Sequence, residues 1–93
     1  MRYIKVAWLH DYPRDPVLLY SEVGADGYET RKVELFRDGA MTFADEETEA
    51  GSTGLGEIPV PSLEEIAADT EERFVPEAIT REEFERVWTQ AHG

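Results

Sequence analysis

The 93-residue chain has no cysteine, only two histidines, and nine basic residues against 21 acidic ones. The missing cysteine excludes a disulfide framework and every thiolate metal site, and it suits a reducing cytoplasm. His10 and His92 have no second His or Cys at ligand spacing, so neither points to a metal centre. No run approaches the roughly 18 apolar residues of a membrane span. The opening Met1-Arg2-Tyr3-Ile4-Lys5-Val6 lacks the apolar region of a signal peptide. A soluble, cytoplasmic protein is the expectation.

The scarcity of bases is uneven along the chain. Residues 1–44 hold seven acids and six bases, whereas residues 45–93 hold fourteen acids and three bases. The net charge of −12 therefore sits almost entirely in the second half. Such a field repels nucleic acid and anionic membrane, and it attracts basic protein surfaces. Solubility alone needs a magnitude of only about 2–8 in a small domain.

What is present suffices for one core. Two Trp, four Tyr and four Phe supply much of the area that a single small domain must bury. The first half reads as strands at about 3–10, 17–23, 28–37 and 40–44. Ile4, Val6 and Trp8 alternate with Lys5 and Ala7, the two-residue period of a half-buried strand. Pro13 and Pro16 break that run, and Val17 to Val23 follows as a more continuously apolar one. Gly24-Ala25-Asp26-Gly27 and Asp38-Gly39 are turn signals, the second predicting a type I′ hairpin. The expected result is a four-stranded antiparallel meander.

A long connection spans 45–61, acidic first and then glycine-rich. Connections of that length are uncommon in compact domains and are often functional. Helices are predicted at about 63–69 and 81–91. Ser62 with Glu65, and Thr80 with Glu83, have capping-box spacing, and Ile79 with Phe84 makes a hydrophobic staple. Phe84, Val87, Trp88 and Ala91 recur on one helical face, which must bury itself on the sheet. Phe74-Val75 fits either a short fifth edge strand or a crossing at the sheet end. The fold class is α+β, two-layer, with two C-terminal helices packing a sheet.

Constellations that could carry chemistry are sparse. His10 beside Asp11 is the one acid–base pair to weigh, but adjacent strand residues point to opposite faces. Gly51-Ser52-Thr53-Gly54-Leu55-Gly56 lacks the phosphate-loop lysine, and acids surround it. Asp45, Glu46, Glu47 and Glu49 offer oxygens without the spacing of a calcium loop. Arg31 and Arg37 share a strand face while Lys32 points the other way, which makes no nucleic-acid platform. Trp8 and Trp88 are read as core. Tyr12 is the better candidate for an exposed interface anchor.

Arg2 to His10, Pro16 to Glu22, Arg31 to Glu34, Thr53 to Pro59 and Arg81 to Glu85 together resemble an uncharacterised family of small, acidic bacterial proteins of about this length. The resemblance covers nearly the whole chain and implies no activity. In size, acidity and lack of cysteine the chain is also similar to the immunity proteins that neutralise polymorphic toxins.

The function expected is therefore that of an acidic, non-catalytic binding protein of immunity type. It would neutralise a basic protein such as a toxin nuclease, with no catalytic residue, metal or cofactor and no direct contact with nucleic acid or membrane. The candidate partner-binding residues are Asp45, Glu46, Glu47, Glu49 and Glu57 in the connection, Glu64, Asp69, Glu71 and Glu72 after it, and Tyr12. Glu65 and Glu83 are set aside because capping accounts for them. Three rivals stand beside this reading. One is a DNA mimic with two regular rows of carboxylates. The second is an enzyme using His10, Asp11 and the glycine loop. The third is an accessory subunit whose charge serves only solubility.

Overall fold

The computed structural model describes residues 1–48 and 54–93. Its elements run β1 (Arg2–Leu9), β2 (Pro16–Val23), β3 (Glu29–Phe36), β4 (Met41–Asp45), α1 (Leu63–Ala67), β5 (Arg73–Ala78) and α2 (Arg81–Ala91). The five strands form one antiparallel sheet in the order β4-β3-β2-β1-β5. The first four make the expected meander. The segment holding Phe74-Val75 is a fifth strand, hydrogen-bonded along the free edge of β1. Pro76 fits there because an edge strand can spare a donor on its outer side.

Burial on both faces explains the strand patterns. One face carries Tyr3, Tyr20, Val33 and Phe43, the last three paired in turn across the ladder, and α2 packs against it. Tyr20, Val33, Phe84 and Val87 form the core of this layer, with Phe43, Trp88 and Ala91 against it. Phe84 and Val33 are completely buried. The opposite face carries Ile4, Val6, Leu19 and Ser21, over which the chain from Gly56 to Pro61 and Ile66 of α1 are laid. β2 lies between β1 and β3 and is covered from both sides, so its sequence reads as a continuous apolar run and not a strict alternation.

The β3–β4 hairpin differs from the turn type expected. Phe36 N donates to Ala40 O at 2.8 Å and Gly39 N to Phe36 O at 2.9 Å. Gly39 has φ +91°, and no non-glycine residue among those described has positive φ. Arg37-Asp38-Gly39 is thus a three-residue loop in which only the glycine is left-handed. Asp38 Oδ1 accepts from Ala40 N at 2.9 Å, fixing the turn without leaving the ordinary φ range.

Both helices start as their caps dictate. Ser62 and Glu65 complete a reciprocal capping box. At α2, Thr80 Oγ1 accepts from Glu83 N at 3.1 Å, and Ile79 packs against the cluster that contains Phe84. α1 is shorter than expected and ends at Ala67. Asp69 Oδ1 accepts from Glu71 N and Glu72 N, both at 2.8 Å, which offers the backbone a turn in place of further helix.

Candidate functional site

Asp45 closes β4, and its side chain builds the turn that follows. Oδ1 accepts from Glu47 N at 2.9 Å and Thr48 N at 2.7 Å. Its own N–H donates to Thr48 O at 2.8 Å. The turn leaves Glu46 and Glu47 exposed. Glu57 comes back beside them, so that Asp45, Glu46, Glu47 and Glu57 line one shallow concavity of about 310 Å³ with Thr48 and Leu55. Four of the residues singled out from the sequence are therefore neighbours in space. Glu49 lies outside the described residues.

The remaining acids are elsewhere. Glu64 is in the first turn of α1, which packs on β5. Asp69 and Glu71 are exposed in the turn that leads into that strand. Glu72 accepts a hydrogen bond from the Trp8 indole at 3.1 Å. β4 and β5 are the two outer strands, four strand spacings or about 19 Å apart. The described candidate carboxylates thus form two groups at opposite sheet edges. Tyr12 belongs with the second group. Its ring stacks on His10 at 5.1 Å and meets Trp8 edge-on at 6.0 Å, and Trp8 in turn packs on Phe74 at 5.9 Å. Tyr12 remains 49% exposed.

Trp8 is not the core residue that its alternation suggested. It is half-buried at the end of the sheet beyond the α1 layer, roofed by this aromatic ladder and tied to Glu72. His10 is held by the backbone on both ring nitrogens. Nε2 lies 2.7 Å from Pro16 O and Nδ1 accepts from Tyr12 N at 2.9 Å, which fixes the Nε2–H tautomer. A ring so engaged supports the turn after β1. Among the described residues, no three His, Asp or Glu side chains come together as potential metal ligands.

Sequence reasoning missed a strongly perturbed group, the Glu22 carboxyl. Glu22 projects toward α2, in phase with Tyr20, and is 7% exposed. Arg31 donates to it from Nε at 2.9 Å and Nη2 at 2.6 Å, and Thr30 Oγ1 donates at 2.7 Å. Arg31 also bridges to Glu85 and lies over Phe84 and Trp88, 4.9 and 5.0 Å from the ring centres. These bonds, Arg31 first, hold the Glu22 carboxyl down to about 2 against the opposing effect of burial. Arg31 is raised in turn, chiefly by Glu22. The signal was an acid on the inward phase of a central strand with an arginine directly across. The cluster rivets α2 to the sheet.

Other bases are likewise engaged within the chain. Lys5 pairs with Glu77 at 3.2 Å, and Arg37 donates to His10 O at 2.8 Å. No helix among the described residues is long and apolar enough to cross a membrane. No curated protein and no solved structure gives a significant match to the chain. The model of one family does match, over residues 2–93, and the chain belongs to that family, described as Domain of unknown function (DUF6881).

Proposed function

We propose that the chain is a non-catalytic binding protein of immunity type, whose acidic surface masks a basic protein such as a toxin nuclease. The observation that carries the reading is the concavity at the β4 edge. There the Asp45 turn sets Glu46 and Glu47 outward beside Glu57. Several of the chain's bases are consumed by internal partners, so the surplus of carboxylates faces solvent without local neutralisation. A partner whose cleft is lined by Arg and Lys to receive nucleic acid would be drawn to that surface and closed by it. A stable complex needs about 800 Å² from each side, more than the concavity alone offers. Leu55 within it, and the adjoining edge strand β4, extend the contact.

The test is affinity capture from a bacterial lysate that contains the natural partner. The native chain is compared with a variant carrying Glu46, Glu47, Glu49 and Glu57 as glutamine, washed at low and high salt. The reading requires a basic protein that is retained by the native chain and lost by the variant. The enzymatic activity of that protein must fall when the native chain is added. Capture of the same proteins by both versions would remove the β4 edge from consideration.

A further inference from the structure

The face of the sheet away from α2 holds a second, chemically different site. Ile4, Val6 and Leu19 form its floor, and Ile66 of α1 and Phe74 of β5 form one wall. The chain from Gly56 to Pro61 forms the other wall. The result is an open-mouthed cavity of about 260 Å³. An apolar cavity of about 150 Å³ already accepts benzene, so this one holds a ring with a short chain attached. Ile58, which also lines it, is 73% exposed, an apolar side chain left for an occupant to cover.

One end of the cavity is polar and is built from three side chains and a backbone amide. Glu29 accepts from Ser21 Oγ at 2.7 Å and from Gly56 N at 2.7 Å, so each of its carboxylate oxygens is committed. Lys32 approaches Glu29 at only 3.9 Å, beyond hydrogen-bond range, and Lys32 lines the same cavity. This end offers Lys32 as its donor, since Ser21 and Gly56 N already donate to Glu29, and carries no net charge. A ligand carboxylate would gain from Lys32 and lose to Glu29 at similar range. A ligand ammonium would meet the like charge of Lys32, while each Glu29 oxygen already accepts one hydrogen bond. An uncharged head that accepts a hydrogen bond avoids both penalties.

We propose that this cavity binds a small, uncharged apolar molecule bearing a carbonyl, a ketone, ester or lactone, with the carbonyl oxygen accepting from Lys32. The site is independent of the acidic surface at the β4 edge and stands whether or not that surface binds a protein. It places recognition at Lys32 and affinity in the apolar walls, the usual division of labour in small-molecule pockets.

The test uses three probes that share one hydrophobic body: 4-phenyl-2-butanone, 3-phenylpropionate and 3-phenylpropylamine. Each is titrated into the intact protein while backbone amide resonances are followed. The ketone is expected to shift the amides of Gly56, Ile58 and Ile66 with a Kd of about 0.1–1 mM, the range open to so small a ligand. The two charged probes are expected to bind at least about tenfold more weakly. Lys32→Met should weaken the ketone about fivefold while leaving the spectrum elsewhere unchanged. Ile66→Trp, which fills the cavity, should abolish binding. Failure of the ketone to shift these amides up to 10 mM (about 10 times the weakest expected Kd) would overturn the proposal. So would equal binding of either charged probe, or ketone binding indifferent to Lys32→Met.

Discussion

At the scale of single residues, the clearest energetic statement concerns Glu22. Its carboxyl is held at about 2 in the folded chain, down from an ordinary 4.5. The stabilisation is therefore fully present above about pH 4.5 and is lost as the pH falls from there toward 2. The difference corresponds to about 3 kcal/mol. Glu22→Gln is expected to cost about that much at pH 7, because it leaves Arg31, over Phe84 and Trp88, with the more exposed Glu85 carboxylate in place of its buried partner. Urea unfolding at pH 7 and at pH 2.5 measures both quantities, and the variant should lose most of the native chain's acid sensitivity in that window. Changing Arg31→Met together with Glu22→Gln should cost less than the two single changes added. Residues 17–23 read as a continuously apolar run, which did not single out Glu22. What an inward charge does depends on its neighbour across the ladder, and pairing register is not written in one strand. Trp8 was misjudged for the same reason, since its phase was right and its layer ends before reaching it.

At the scale of elements, local chemistry was largely legible. The capping residues marked where both helices begin, and the stripe of Phe84, Val87, Trp88 and Ala91 marked the face that α2 buries. Thr80→Ala should destabilise the chain by about 1 kcal/mol, read by thermal or denaturant unfolding. The Asp38-Gly39 hairpin was visible, but not its turn type. A three-residue loop needs one left-handed residue where the two-residue loop needs two. Gly39→Ala is expected to cost about 1–2 kcal/mol, all of it conformational, since nothing lies within 4 Å of the added Cβ. Asp38→Ala would remove only the bond to Ala40 N and should cost less. The fifth strand was undecidable from Phe74-Val75 alone. Its assignment depends on the vacant edge of β1, a feature of the assembled sheet.

At the scale of the whole molecule, charge dominates. A net charge of −12 on 93 residues repels itself in the compact state. Raising sodium chloride from about 10 to about 150 mM, where the screening length falls to about 8 Å, is expected to raise Tm by several degrees. A Tm that falls over the same range would mean that internal ion pairs outweigh the repulsion. The sequence located the acidic half but not its division between the β4 and β5 edges. Residues as close in sequence as Glu57 and Glu64 are carried apart by the chain that crosses the sheet between them.

Attraction of the partner by the carboxylates at the β4 edge is above all a kinetic property. It is tested most directly by the association rate of the chain with the basic protein it captures, measured by stopped flow across ionic strength. The native chain is compared with one carrying Glu46→Gln, Glu47→Gln and Glu57→Gln. Such attraction requires a native rate that falls steeply with salt, and a variant about tenfold slower at low salt with a shallower dependence. Equal rates and equal salt slopes for the two chains would contradict it and move the binding surface away from β4.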